Sequence, residues 1–208
     1  MIKICFIIFL FLQSFILYSQ KNVNLLSFVD EVTISLNQTR FSSESLAESN
    51  IGFGFGFNKI WLDTNKFNFG FGVYYDRVIR NRKQHLFDTY FFLNSNLSLD
   101  ILSIPFFCRI NVGEKTRFFI ELGGYFDIGN KGAISGYTTF KRQYKTILSF
   151  NTRKVNFGTS GGLGLLLTTK KHVLILKGEF KYGFLDVMPN YEKGWQNQYF
   201  KFSLGLGF

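Results

Sequence analysis

The stretch Ile51-Gly52-Phe53-Gly54-Phe55-Gly56-Phe57-Asn58 puts every large apolar side chain on an odd position, with glycine or asparagine in between. A period of two marks a strand with one apolar face. After Asp63-Thr64-Asn65 the pattern resumes as Phe67, Phe69, Phe71, Val73 and Tyr75, with Asn68, Gly70, Gly72 and Tyr74 on the other phase. Two such runs joined by a short polar break predict a β-hairpin.

The same alternation extends in both directions from this hairpin. Val32, Ile34 and Leu36 alternate with Thr33, Ser35 and Asn37. Downstream, Phe118, Ile120, Leu122, Gly124, Phe126 and Ile128 share one phase, as do Val155 to Leu167, Leu174 to Phe184, and Phe200 to Phe208 taken at every second residue. One segment is irregular: Leu97, Leu99 and Ile101 are odd, whereas Ile104, Phe106, Cys108, Ile110 and Val112 are even. A one-residue slip turns every side chain over, so a β-bulge is expected between Ser103 and Pro105. The connections also alternate. Asp63 to Asn65, Glu114 to Thr116 and Thr169 to His172 are short, while Phe41 to Ser49, Arg80 to Asn94, Asn130 to Lys154 and Val187 to Gln196 read as long loops. An even number of antiparallel strands, with short turns on one rim and long loops on the other, predicts an all-β, eight-stranded, up-and-down transmembrane β-barrel with both ends on the periplasmic side.

Composition agrees with this. Of 208 residues, 28 are Phe, 20 are Gly and 2 are Pro, which suits strands and excludes a disordered or collagen-like chain. At the amino end Lys3 precedes the apolar run Ile4 to Tyr18, the pattern of a secretory signal peptide cut between Ser19 and Gln20. The expected organisation is therefore a signal peptide at 1–19, taking Cys5 with it, and a barrel domain at 20–208. No later apolar run is long enough for a spanning helix, which leaves a closed barrel as the way across a membrane.

A soluble barrel turns its apolar face inward and covers its exterior with charge. Here the other face is mostly Gly, Ser, Thr and Asn, too poor in charge for a solvated exterior, and the apolar phase contains no Lys, Arg, Asp or Glu. The greasy face is therefore read as the one that meets lipid. Trp61, Tyr75, Tyr182 and Trp195 fall near strand ends, as interfacial girdles do. Pairing across Thr169 to His172 opposes Gly164 to Lys177, Gly162 to Glu179 and Ser160 to Lys181, and pairing across Glu114 to Thr116 opposes Arg109 to Glu121. These positions predict a lumen ion network of Arg109, Glu121, Lys177, Glu179 and Lys181, and a filled interior without a wide pore.

The remaining chemistry is sparse. Gly161-Gly162-Leu163-Gly164 lacks the Lys-Ser/Thr of a phosphate loop and reads as packing. Cys108 lies on the lipid phase, and His85 and His172 are not grouped with other metal-binding residues, so neither metal nor cofactor is expected. His85, Asp88 and Asp76 offer a minimal acid–base set for a rim enzyme acting on outer-membrane lipid or peptide, but no Ser is placed to serve as their nucleophile. The excess charge, 24 Lys and Arg against 14 Asp and Glu, is concentrated in the predicted outer connections. Arg80, Arg82, Lys83, Lys131, Lys141, Arg142, Lys145, Arg153 and Lys154 are the candidate contacts for lipopolysaccharide phosphates or acidic polysaccharide. Nucleic acid is excluded as a partner, because the aromatics follow the lipid face and do not alternate with these cations.

Taken together, Ile101-Leu102-Ser103-Ile104-Pro105-Phe106-Phe107, Phe118-Phe119-Ile120-Glu121-Leu122-Gly123-Gly124-Tyr125, Gly161-Gly162-Leu163-Gly164, Tyr182-Gly183-Phe184-Leu185-Asp186 and the terminal Phe208 resemble the PorT-like outer-membrane β-barrel proteins of Bacteroidota. The resemblance implies an outer-membrane location and insertion by the barrel assembly machinery. It does not imply a shared task; a structural or accessory role, in the envelope or beside a secretion-system protein, is the expectation for this chain, and the secretion-system part of it rests on analogy. The resemblance implies an acidic residue where this chain has Ser103, so no role of that carboxylate carries over. The sequence reading is thus a non-enzymatic barrel surrounded by outer-membrane lipid, with the rim enzyme as the alternative.

Overall fold

The computed structural model describes residues 29–39, 47–49, 51–63, 66–87, 90–114, 116–138, 144–150, 155–169, 171–186 and 196–208. The expected signal peptide, and Trp195 of the expected girdle, lie outside these residues. The strands are β1 (Glu31–Thr39), β2 (Ala47–Ser49), β3 (Ile51–Asp63), β4 (Phe67–Phe87), β5 (Tyr90–Val112), β6 (Thr116–Thr138), β7 (Tyr144–Phe150), β8 (Val155–Thr168), β9 (Val173–Asp186) and β10 (Gln196–Gly207). Eight of them close in the order β1-β3-β4-β5-β6-β8-β9-β10, and β10 pairs back to β1. Every neighbouring pair is antiparallel. The short strands β2 and β7 add to β4 and β6 beyond the barrel wall.

Closure satisfies the backbone, and the two phases then separate by solvent. Phe53, Phe55, Leu122, Phe126, Leu163 and Phe202 are exposed on the outside, where lipid covers them. The alternate phase is buried and polar. On each of β4, β5 and β6 the greasy outer run spans about 9–11 residues, the length a tilted strand needs to cross hydrocarbon. Trp61, 70% exposed, sits where the β3–β4 register shifts between Ile60 and Leu62, and packs on Phe71 at 5.1 Å. At the other edge Tyr75 donates its hydroxyl to Asp100 at 2.7 Å. The β5–β6 turn begins at Gly113, whose φ of 110° lies in the left-handed region that glycine adopts without strain.

Two sequence expectations need correction. First, no bulge interrupts β5 between Ser103 and Pro105. The β4–β5 ladder runs through this point in constant register, with Phe71 opposite Phe106, Tyr74 opposite Ser103 and Tyr75 opposite Leu102. Leu97, Leu99 and Ile101 are buried on the inward phase, together with Ser103, Phe107 and Arg109. The apolar phase changes because the surroundings change. Beyond Leu102 the outer face has left hydrocarbon and carries Asp100, Ser98 and Asn96, so the apolar residues turn inward. The irregularity lies in β6 instead, where Asp100 pairs with Lys131 and Ile101 with Gly129, leaving Asn130 as the extra residue.

Second, Arg80 to Asn94 is not a loop. β4 and β5 remain paired up to Phe87 opposite Tyr90, and β6 continues to Thr138 with β7 beside it. At 21 and 23 residues, β4 and β5 are about twice the length a membrane requires.

The lumen glycines make room for their neighbours. A Cβ on Gly164 would collide with the Leu176 carbonyl and the Phe119 ring, and one on Gly54 would strike the Asp76 carboxylate. Gly161 faces outward, where a Cβ would meet only Leu122 Cδ2 at 3.4 Å. Gly164→Ala is therefore expected to lower stability by ~1–3 kcal/mol through overpacking, while Gly161→Ala stays within ~0.5 kcal/mol. Urea unfolding of the folded protein in micelles measures both, and equal losses would refute this inside–outside assignment. Phe55→Arg, on the lipid side, is expected to cost ~2–4 kcal/mol in the same assay.

Candidate functional site

The interior holds two layers of charge stacked along the barrel axis. In the layer nearer the short turns, Arg109 of β5 faces Glu121 of β6 across the ladder and donates from Nε at 3.0 Å and Nη2 at 2.9 Å. The same guanidinium spans the lumen to Glu31 of β1, from Nη1 at 2.5 Å and Nη2 at 3.1 Å. Glu31 also accepts from Asn58 Nδ2 at 2.8 Å, and Asn58 Oδ1 accepts from the Tyr74 hydroxyl at 2.8 Å. On the far side of Glu121, Lys177 Nζ donates at 2.7 Å and lies 3.1 Å from Glu179. The guanidinium is sandwiched by Phe107 and Phe119, 5.3 Å and 4.6 Å from the ring centroids. Phe119 continues into an apolar cluster with Leu166 and Ile175, which fills the lumen below the charges.

The outer layer centres on Asp76 of β4, which is fully buried. Its carboxylate accepts from Lys201 Nζ at 2.8 and 3.0 Å, from the Tyr199 hydroxyl at 3.0 Å and from Asn37 Nδ2 at 3.2 Å. Lys181 lies 3.8 Å from Asp76 and 3.6 Å from Asp127, and donates to Ser103 Oγ at 2.6 Å. Its ammonium sits over the Tyr125 ring at 4.1 Å and that of Lys201 over the Tyr74 ring at 4.0 Å. Each layer ties strands from opposite walls, β5 to β1 and β4 to β10.

Among the described residues, the buried charges are Glu31, Asp76, Glu121, Asp127 and Glu179 against Arg80, Arg109, Lys177, Lys181 and Lys201. The interior is therefore formally neutral, and the net +10 of the chain lies elsewhere. In a space closed off by hydrocarbon an uncompensated charge would carry a large desolvation cost.

The register opposes Arg109 to Glu121, Gly164 to Lys177, Gly162 to Glu179 and Ser160 to Lys181, the pairings derived from the sequence. The structure adds Glu31, Asp76, Tyr199 and Lys201, which the sequence reading did not assign to the lumen. Their signal was parity: Lys201 stands between Phe200 and Phe202, and Asp76 two residues after Tyr74, both on the polar phase. Asp76 is consequently not at the rim with His85. His85 lies on β4 opposite Phe92, and Asp88 is outside the described residues. Arg80 is buried on the inward phase, because β4 is still a strand there, so it leaves the set of outward cations. Arg82 and Lys83 lie on β4, Lys131 on β6 opposite Asp100, and Lys145 on β7 opposite Tyr137. Lys141, Arg142, Arg153 and Lys154 are outside the described residues.

The Ser103–Lys181 contact has the composition of a nucleophile–base pair, but Ser103 is fully buried and the Lys181 ammonium faces two carboxylates and two phenol rings. No three His, Cys, Asp or Glu side chains among the described residues are grouped as metal ligands. The geometry performs cross-bracing. Lys201→Met is expected to cost ~3–5 kcal/mol by stranding Asp76, and adding Asp76→Asn should recover part of that loss. Urea midpoints of the single and double variants test this, and an unimproved double variant would show that Lys201 does not neutralise Asp76.

Residues 18–188 match the family model described as outer membrane protein beta-barrel domain. No curated protein matches the chain. Among solved structures, the chain is similar to Ail, the attachment invasion locus protein of Yersinia pestis, crystallised with the heparin analogue sucrose octasulfate. The identity is 12% and the TM-score 0.42, over 86% of this chain and 95% of that one. Neisserial surface protein A follows at 11% identity and a TM-score of 0.40, over 85% and 92% of the two chains. The outer membrane enzyme PagL aligns at 13% and 0.39, over 85% and 97%. A barrel with a lipid-facing exterior and a match spanning most of its length together make this chain a member of the outer membrane protein beta-barrel domain family, located in the bacterial outer membrane.

Proposed function

We propose that this protein is a closed, non-conducting barrel with a structural or accessory role in the envelope, exported with a cleaved leader at 1–19 and without enzymatic activity. A secretion-system or other envelope protein is its partner in this reading, by analogy with PorT-like proteins. The observation that carries it is the occupied lumen: two cross-braced ionic layers stand above the buried Phe119, Leu166 and Ile175 cluster. Planar bilayers containing the purified protein should remain without large steady currents, and currents of porin size would overturn the reading. Replacement of His85 by Ala should leave lipid A structure and peptide cleavage unchanged.

The cations beyond the belt serve lipopolysaccharide in the same reading, sorted by their height along the strands. Lys131 follows Ile128, the last greasy outer residue of β6, by three positions and so stands at headgroup level. Arg82 and Lys83 lie ~25 Å of strand beyond Tyr75, above the lipid phosphates. Lys131→Glu is therefore expected to weaken binding of purified lipopolysaccharide several-fold in a salt-dependent way, while Arg82→Glu with Lys83→Glu changes it little. The opposite ranking would refute the assignment.

A further inference from the structure

The outer edge of the hydrocarbon belt carries charge that the lumen does not use. Phe53, Arg77, Asp100 and Lys131 are opposed in turn across β3, β4, β5 and β6, one rung beyond the greasy row of Phe55, Tyr75, Leu102 and Ile128. Arg77 shares the outward phase of β4 with Val73 and Tyr75, and its side chain is 39% exposed. It stands ~7 Å of strand past Tyr75, or ~5 Å of height at the usual barrel tilt. The headgroup zone on each side of the hydrocarbon is only ~5–8 Å deep. The medium that meets Arg77 is therefore the headgroup layer of the protein's own outer leaflet.

Two features make this a site and not an isolated charge. First, Asp100 Oδ1 accepts from the Tyr75 hydroxyl at 2.7 Å, while Arg77 Nε stays 3.6 Å away, beyond hydrogen-bond reach. Among the described residues no side-chain oxygen accepts a hydrogen bond from this guanidinium, so its planar fork is open to an acceptor from outside. A half-exposed ion pair of that length adds little stability, so the arrangement is not explained by bracing. Second, the Tyr75 ring lies beside those of Phe53 and Phe55, with centroids at 6.3 and 5.5 Å, and both Phe rings are half exposed. An aromatic shelf directly below a guanidinium suits an amphiphile with phosphate above and an apolar body below. The two parts are held in fixed register: the Arg77 carbonyl accepts from Asn37 Nδ2 at 3.4 Å, and a Cβ on Gly52 of β3 would strike it.

We propose that Arg77, above the Phe53–Tyr75–Phe55 shelf, is a binding site for a lipid A phosphate of lipopolysaccharide. A phosphate monoester, with up to about two negative charges and three acceptor oxygens, matches the fork better than the diester of a phospholipid. Asp100, anchored by Tyr75, sets the place of the guanidinium without occupying it. The site rests on the lipopolysaccharide reading given above and adds to it a residue outside the cations considered there.

Purified protein in a nonionic detergent, titrated with diphosphoryl lipid A, tests this. Arg77→Gln should weaken binding about tenfold, the worth of one charge-assisted contact, with the largest effect at low salt. Lys59→Gln removes the same charge at the short-turn rim, where Lys59 pairs with Asp30 at 3.1 Å, and should leave the affinity unchanged. An equal loss there marks attraction to net charge and overturns the site. Phosphatidylglycerol in place of lipid A should bind weakly and respond little to Arg77→Gln, and a response as large as that of lipid A overturns the assignment to lipopolysaccharide. Heat-modifiable migration identifies variants that keep the barrel. If Lys131→Glu weakens lipid A binding and Arg77→Gln does not, this site fails while the wider reading stands. If neither variant changes it, both fail.

Discussion

A chain that crosses hydrocarbon as strands must close, and closure creates an interior from which water is largely removed. Everything else in this protein follows from how that interior is filled. Among the described residues its ten buried charges cancel, and they do so across the lumen rather than only between neighbours: Arg109 joins β5 to β1, and Asp76 joins β4 to β10. Any one of these groups left alone would favour an unfolded or water-filled barrel, so the layers stand or fall together. The small residues of the inner wall serve the same end. Gly54 yields space to Asp76 and Gly164 to Phe119, which lets eight strands enclose side chains that would otherwise hold the wall apart.

Hydrocarbon accounts equally for the outside and for where it stops. Within the belt the exterior is Phe, Leu and Ile, and the interior is polar. Above it the relation reverses on β5: Leu97, Leu99 and Ile101 are buried inside, while Asp100 and Asn96 look out. Strand geometry continues unbroken across this change. The barrel thus becomes, beyond the belt, a sheet of five strands, β2-β4-β5-β6-β7, with β4 and β5 continuing through the boundary as unbroken strands. Arg82, Lys83, Lys131 and Lys145 stand on strands of this sheet, and so at fixed heights along it.

Much of this was legible in the amino-acid order. A period of two, short and long connections in alternation, and an apolar phase free of charge lead to eight strands, to the lipid side and even to the register that opposes Arg109 to Glu121. The same rule misled at the top of β5. Parity of hydrophobic residues reports which side is dry, and it equals a fixed side of the strand only while the surroundings stay the same. The bulge expected near Ser103 was the consequence, as was the reading of Arg80 to Asn94 as a loop.

What the sequence alone determined is local: which residues extend, which face is greasy, and which strands are sequential neighbours, because alternation and turn length are properties of adjacent residues. What only the tertiary structure decided is who meets across the lumen. Glu31 with Arg109, and Asp76 with Lys201, are separated by 78 and 125 positions, and their contact depends on the curvature and stagger with which the eight strands close. No periodicity along one strand encodes that curvature, which arises when the last strand bonds to the first.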